Sequence, residues 1–117
     1  MKHYNIERAK ITPSIDGVWE GPAWTDIDVI NIDQFHEKSS DHQPITEAKV
    51  VYDDDGLYVI FRAQDQYVRS VNTGINSGVC RDSCAEFFFE PIAGHGYFNI
   101  EINCGGHILM HYNARSA

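Results

Sequence analysis

Two neighbouring stretches in the C-terminal half of the chain carry carboxylate or amide side chains at alternate positions. Glu86 occupies such a position in the first stretch, and Asn99, Glu101 and Asn103 do so in the second. Successive side chains of a β-strand point to opposite faces, so each stretch would form a strand with one polar face. Carboxylates and amides can each hydrogen-bond two adjacent hydroxyl groups, which makes this face a candidate site for a polyhydroxylated ligand.

The intervening positions of both stretches are apolar, which is typical of an antiparallel sheet with one packed side. They are Ala85, Phe87 and Phe89 in the first stretch and Phe98, Ile100 and Ile102 in the second. Pairing these apolar faces puts Glu86 and Glu101 on the same polar face, and one register places them directly opposite each other. Because like charges so placed are destabilising, we expect a cation, a shared proton, a histidine or a polar ligand to compensate them.

A third strand is predicted after the pair Gly105-Gly106. A three-residue loop with a glycine in the left-handed region keeps the apolar residues of this strand on the apolar face. The favoured register places Ile108 opposite Cys104 and His111 opposite Glu101. His111 is therefore a candidate partner of the carboxylate pair.

An earlier hairpin is predicted between Thr46 and Asp65, with its turn at residues 53–56. A four-residue loop pairs apolar residues across its strands, namely Tyr52 with Leu57, Val50 with Val59, and Ala48 with Phe61. The turn holds three successive aspartates, which resemble half of a calcium-binding loop. The remaining ligand spacing and the closing glutamate are absent, so a plain turn is expected.

The two tryptophans have more than one interpretation, and one long loop is a further candidate for function. Trp19 and Trp24 lie among turn residues, and they would either cap one end of a core or serve as platforms on which a ligand ring stacks. Residues 66–81 form a long irregular connection, and loops of this length inside compact domains are often functional.

Composition and charge restrict the classes of function. The 117 residues are enough for one domain, residues 1–117, and the net charge of −8 disfavours nucleic acid and anionic membranes while it suits neutral or cationic ligands. No apolar run of about 18 residues marks a membrane span, and no signal peptide is visible, so the compartment stays open. The cysteines lack paired Cys-x-x-Cys spacing, which argues against zinc and predicts buried free thiols. They are Cys80, Cys84 and Cys104.

Four segments, taken in order, point to a known family. They are Ile15-Asp16-Gly17 with Trp24, residues 48–54 with Leu57-Tyr58-Val59, residues 82–88, and residues 96–103. Together they resemble the family 9 carbohydrate-binding modules from about Ile11 to Tyr112. The resemblance lies in the order and spacing of the segments rather than in any one motif.

The resemblance implies an all-β fold, an antiparallel β-sandwich of the jelly-roll or immunoglobulin-like kind. It implies binding of a sugar or polysaccharide without catalysis, in bacterial systems where such modules are often attached to xylanases or other glycan-degrading enzymes. Such modules are often extracellular or periplasmic. Structural calcium occurs in the family, and no other cofactor is implied. Glu86 matches a sugar-contacting carboxylate of the family.

The chain also departs from the family. Family modules are much longer, so this sequence corresponds to the first half of one or slightly more. We expect the incomplete sandwich to be completed by a second copy, in a dimer or larger homo-oligomer, or by another chain. A stacking aromatic residue of the family falls at Val79, and a basic sugar contact falls at Asn99.

The leading hypothesis is a non-catalytic carbohydrate-binding module that serves a xylan-degrading system. Its predicted ligand-binding residues are Glu86, Asn99, Glu101, Asn103, Tyr97 and His111, with Tyr97 or Tyr112 for stacking. One alternative is a glycoside hydrolase with Glu86 and Glu101 as its carboxylates, although no apolar pocket marks a protonated acid. Another is a haem-binding sandwich domain. Against it, His107 and His111 lie about 13 Å apart along a strand, too far for one metal.

Overall fold

The computed structural model describes residues 2–114, and the chain divides into two compact units, Met1–Asp65 and Gln66–Ala117. Apart from two short 3-10 helices, its regular structure is β-strand, so the predicted all-β fold class is confirmed. The strands are β1 Glu7–Arg8, β2 Ile30–Asn31, β3 Ile45–Tyr52, β4 Leu57–Gln64, β5 Cys84–Phe89, β6 Tyr97–Asn103 and β7 Ile108–Asn113. Within the described range, no helix has the length and apolar character needed to cross a bilayer.

Strand β3 is the centre of the first unit. It pairs with β4 along its whole length, and the predicted register is confirmed, because Tyr52 faces Leu57 and Val50 faces Val59. The opposite edge of β3 is shared by β1, which runs parallel to it, and β2, which runs antiparallel. Strand β2 is short and is limited to Ile30–Asn31.

The β3–β4 turn is organised by Asp53. Its Oδ1 accepts hydrogen bonds from the backbone amides of Asp55 at 2.8 Å and Gly56 at 3.2 Å. A carboxylate that accepts from the backbone two residues on stabilises a turn by itself. The plain hairpin turn expected from the sequence is confirmed.

Trp19 and Trp24 belong to the core of the first unit, where they pack with Val51 and Ile60. They are only 9% and 4% exposed. Two cationic groups also lie over the Trp19 ring: Lys49 Nζ is 4.8 Å and Arg62 Cζ is 4.4 Å from the ring centroid. Of the two interpretations of these tryptophans, the core position is thus the one found, since neither ring is open to a ligand.

The second unit is an antiparallel meander in the order β5-β6-β7. Glu86 lies directly opposite Glu101, which confirms the predicted pairing of the first two strands. Aromatic rings run across the apolar face: Phe89 stacks on Phe98 at 5.2 Å, and Phe98 meets Tyr112 at 5.1 Å. The predicted segregation of apolar and polar side chains is present in all three strands, except that Phe88 and Leu109 lie on the same side as the polar residues.

The predicted register of β7 is wrong by two residues. His111 lies opposite Asn99 rather than Glu101, and Leu109 takes the place opposite Glu101. The loop has three residues as expected, but it runs from Cys104 to Gly106, and Gly106 adopts the left-handed backbone with φ 83°. Because the shift is even, every residue of β7 keeps its predicted face.

The Asn103 side chain explains this shift. Its Oδ1 accepts hydrogen bonds from the amides of Gly105 at 3.1 Å and His107 at 2.9 Å, and the Asn103 amide donates to the His107 carbonyl at 3.0 Å. These bonds begin the turn at Asn103, one residue earlier than glycine placement alone predicts. Ile108 therefore pairs with Ile102 and not with Cys104.

The three cysteines are free, as expected, but they are exposed rather than buried. None of them lies in the middle of a strand. Cys80 lies in the 3-10 helix Val79–Arg81, Cys84 at the first position of β5, and Cys104 in the β6–β7 turn. Strand ends and turns usually lie at the protein surface. The prediction of burial was wrong because it used the apolar character of the thiol and not the position of each cysteine in the fold.

Candidate functional site

All six predicted site residues lie on one face of the β5–β7 sheet, which we call the polar face. Strand parity places them there with neighbours that the prediction did not include. The polar face consists of Cys84, Glu86 and Phe88 on β5, Tyr97, Asn99, Glu101 and Asn103 on β6, and Leu109, His111 and Asn113 on β7. The sequence pattern alone thus brought the correct strands together around Glu86 and Glu101.

One end of the polar face is bounded by the long connection before β5. Asp82 holds this loop, because its Oδ2 accepts hydrogen bonds from the amides of Val71 at 3.0 Å and Asn72 at 2.8 Å. Ser83 adds a second attachment, since its Oγ accepts from the Arg69 amide at 2.9 Å. The Asp-Ser pair therefore positions a loop against the sheet.

Asn103 is part of the same attachment. Its Nδ2 donates to the Asn72 carbonyl at 2.9 Å and to Asp82 Oδ2 at 3.1 Å, while its Oδ1 accepts the two turn amides described above. The residue is 3% exposed. Both amide protons and both oxygen lone pairs are in use, so Asn103 has no free group to offer a ligand. We therefore assign it to the framework of the site.

The Glu86–Glu101 pair lies at the centre of the polar face. Glu101 is 7% exposed, whereas Glu86 is open to solvent. Burial, together with the hydrogen bond and the charge of Glu101, raises the pKa of Glu86 to about 7. Among the ion pairs found within residues 2–114, none includes Glu86 or Glu101. Of the compensating devices expected from the sequence, a shared proton is the one that this geometry provides.

Asn99 adds an acceptor beside this pair. Its Oδ1 is buried and has no hydrogen-bond partner within the described part of the chain. Asn99 lies between Phe88 on β5 and His111 on β7. A buried amide oxygen without a partner is costly, so a hydroxyl donor arriving here would gain more than it would at an exposed amide.

Phe88 is the residue that sequence reasoning did not include in the site. It is 50% exposed on the polar face, and its ring centroid lies 6.1 Å from that of Tyr97 with the planes inclined at 37°. The period-two pattern places Phe88 on the polar face, but Tyr97 and Tyr112 were the aromatic residues considered for stacking. The signal was nevertheless present, since Phe88 has the same strand parity as Glu86.

Val79 does not belong to the strands that form the polar face. The resemblance places a stacking aromatic residue at this position, but Val79 is 0% exposed and belongs to a short 3-10 helix that packs against β6 and β5. An aromatic contact from this position is excluded in this chain by burial as well as by residue type. Any stacking residue must come from another part of the polar face.

The Cys84 thiol is poorly suited to act as a nucleophile. Desolvation and the nearby charges of Glu86 and Glu101 raise its pKa to about 11. The reactive form of cysteine is the thiolate, which is scarce at neutral pH when the pKa lies this high.

The described residues, 2–114, show no candidate metal centre built from side chains. They contain no group of three or more histidine, cysteine, aspartate or glutamate side chains that could hold a metal ion. Asp53, the first member of the aspartate run, already uses its Oδ1 to accept the turn amides. Structural calcium, whose ligands also include backbone carbonyls and water, stays an expectation of the resemblance.

Comparisons with known proteins point to a carbohydrate-binding family. The profile of carbohydrate-binding family 9 matches residues 22–117. The fold is similar to a solved structure from Bacteroides uniformis ATCC 8492, a protein provisionally assigned as carbohydrate-binding, with a TM-score of 0.78 and 26% sequence identity. The alignment covers 93% of this chain and 51% of that one, so the chain spans about half the length of its neighbour. A comparison with curated proteins found no match.

The predicted antiparallel β-sandwich class is confirmed by this likeness together with the two β-sheets of the chain. The family profile extends over most of the sequence and includes all of β3 to β7. The chain belongs to carbohydrate-binding family 9.

Proposed function

We propose that this chain binds a sugar through the polar face of its β5–β7 sheet and catalyses no reaction on it. The observation that carries the proposal is the opposition of exposed Glu86 to buried Glu101. Carbohydrate recognition needs fixed donors and acceptors that can engage neighbouring hydroxyl groups, and a strand pair holds these carboxyl groups in a fixed register.

The shared proton suits this task. With a pKa of about 7, Glu86 is protonated in a large fraction of molecules near neutral pH, and it can then donate as well as accept. Glu101 is held in place by burial, and Asn99 Oδ1 accepts a further hydroxyl proton. A sugar hydroxyl is itself a donor and an acceptor, so this set of groups can satisfy both of its functions.

The proposed ligand is a neutral plant glycan such as xylan, and the proposed role is to serve a xylanase-type degrading system. The net charge of −8 supports a neutral polysaccharide over an acidic one, because an acidic chain would be repelled. The family membership supports a carbohydrate as the ligand. Titration with several oligosaccharides decides whether that carbohydrate is xylan.

Isothermal titration calorimetry with xylotriose, cellotriose and arabinotriose tests this function. We expect saturable binding of at least one of them by the unmodified chain, and Glu86→Ala to weaken it by about tenfold or more, the loss expected for one charge-assisted hydrogen bond. Glu37→Ala, which removes an exposed glutamate of the first unit, is the matched control and should bind as the unmodified chain does. Absence of heat with every sugar, followed by a negative glycan array, would contradict the proposal.

A glycoside hydrolase would also use two carboxyl groups, and a pKa of about 7 would suit its acid. However, Glu86 and Glu101 hydrogen-bond each other. Two carboxyl groups in direct hydrogen-bond contact leave no room between them for the water molecule that an inverting enzyme needs. We expect no release of nitrophenol from nitrophenyl xyloside or glucoside. Turnover that disappears in Glu86→Gln would overturn this choice.

We further propose that the chain is a homodimer, in which the apolar face of the β5–β7 sheet is covered by a second copy. The support is the exposure of Ile108, Met110 and Tyr112 on that face, at 45%, 54% and 54%. Exposed apolar surface of this extent on one face is typical of an interaction site. Light scattering should give twice the 13.3 kDa of one chain, and Met110→Lys should reduce it to a single mass. A monomer at all concentrations would contradict this.

A further inference from the structure

Phe88 is an aromatic residue whose position is not explained by packing. Its neighbours Phe87 and Phe89 point to the opposite face, where their rings contact each other at 5.4 Å and Phe89 stacks on Phe98. Phe88 instead lies on the polar face and is 50% exposed. Half of a large apolar ring is thus presented to solvent among carboxylates and an amide, where it contributes little to the stability of the sheet.

The surroundings of Phe88 fit a binding platform. Tyr97 supports the ring at 6.1 Å between centroids, which restricts its motion. Asn99, with its unpartnered buried oxygen, lies directly across the strand pair, and Glu86 lies two residues away on the same strand. Two residues along a strand span about 7 Å, a distance comparable to one sugar ring with its hydroxyl groups.

We propose that Phe88 is the stacking residue of the sugar site, with one pyranose ring lying on its exposed face and its hydroxyl edge turned towards Glu86 and Asn99. This inference rests on the proposed function and identifies its apolar contact. Binding sites for small ligands combine an apolar or aromatic wall with a few fixed polar groups, and only Phe88 and Tyr97 supply a six-membered aromatic ring on the polar face of the described chain. Val79 cannot take this role, because its side chain is fully buried.

The test uses calorimetric titration of the full chain with xylotriose and cellotriose. Phe88→Ala should lower the affinity by about tenfold or more, because it removes the whole apolar contact. Phe88→Trp should keep or increase the affinity, since a larger ring offers more stacking area. Phe35→Ala removes another exposed ring, 41% accessible in the first unit, and should leave the affinity unchanged. Circular dichroism before titration verifies that each variant is folded.

A second readout places the sugar at this position. The tryptophan of Phe88→Trp should shift its emission to shorter wavelength when xylotriose or cellotriose is added, whereas Phe35→Trp should show no shift. Trp19 and Trp24 are buried and give a constant background. If the unmodified chain binds and Phe88→Ala binds within about twofold of it, the inference about Phe88 is overturned while the proposed function stands. If the unmodified chain binds no sugar, both fail.

Discussion

Glu86 and Glu101 lie directly opposite each other on β5 and β6, and their carboxyl groups hydrogen-bond. Such a pair is more stable while a proton lies between the two groups, since two opposed negative charges on neighbouring strands repel. The pair therefore links the protonation of the polar face to the stability of the sheet. It also gives the site a group that can both donate and accept near neutral pH.

Stability should fall as the pH rises through the range in which Glu86 titrates. The pKa of Glu86 is 4.5 in its ordinary state and about 7 in the folded chain, so between these values the folded state binds more protons than the unfolded state. Raising the pH then favours unfolding, and the loss is complete above about pH 7. Because Glu86 is exposed and its interaction is screened by solvent, we expect a loss of about 1 kcal/mol.

Urea-induced unfolding at pH 4.5 and pH 8 measures this effect, with Glu86→Gln as the test variant. Glutamine can still donate a hydrogen bond to Glu101 but cannot ionise, so the variant should be the more stable protein at pH 8. Glu37→Gln is the control and should follow the unmodified chain at both values. An identical pH dependence in Glu86→Gln would show that the pair does not carry the effect.

Asn103 should act on stability rather than on ligand affinity. Asn103→Ala removes four hydrogen bonds at a position that is 3% exposed and leaves the Asp82 carboxylate short of one donor. We expect a loss of about 2–3 kcal/mol in the free energy of unfolding. Asn5→Ala, at an exposed position of the first unit, should cost little. A folded Asn103→Ala variant with normal stability and abolished sugar binding would return this residue to the ligand contacts.

The sequence predicted the parts of the site that depend on strand parity. Period-two alternation placed Glu86 and Glu101 on one face, and pairing of the apolar faces brought them opposite each other. The register of β7 was predicted wrongly because it is set by the Asn103 side chain, and local side-chain hydrogen bonds leave no periodic signal. Phe88 falls on the polar face by the same parity, but the stacking role was assigned to Tyr97 or Tyr112.

The Asp82 carboxylate should make the loop before β5 sensitive to acid. Burial raises the pKa of Asp82, but the hydrogen bonds from Asn72, Asn103 and Val71 outweigh it and hold the pKa below the ordinary 3.8. The stabilisation is thus present above about pH 3.8 and is lost as the pH falls through the lower, folded value. The protection of the Val71 and Asn72 amides against hydrogen exchange, relative to the intrinsic rate, should fall in that range, and Asp82→Asn should lose this protection already at neutral pH. Equal protection in Asp82→Asn would contradict the assigned role.

Gly96 should be the least replaceable glycine at the Tyr97 end of the site. A Cβ atom there would collide with the Asn113 carbonyl oxygen and lie 2.9 Å from the Tyr112 hydroxyl, and φ is 115°, which side chains rarely adopt. Both obstacles act where β6 begins beside the end of β7, so Gly96→Ala must displace the two strands. We expect a loss of more than about 2 kcal/mol.

Gly94→Ala is the matched control, because φ is 81° there but no atom lies within 4 Å of the added Cβ. Gly94→Ala introduces the backbone strain without a collision, and we expect it to lower the free energy of unfolding by about 1 kcal/mol. Urea-induced unfolding followed by circular dichroism gives both values, and the difference between them isolates the collision with β7. If the two variants lose the same stability, the contact between Gly96 and the end of β7 does not hold this edge of the polar face together. Sugar affinity in the folded fraction of Gly96→Ala should also fall, since Tyr97, which supports Phe88, follows directly in the chain.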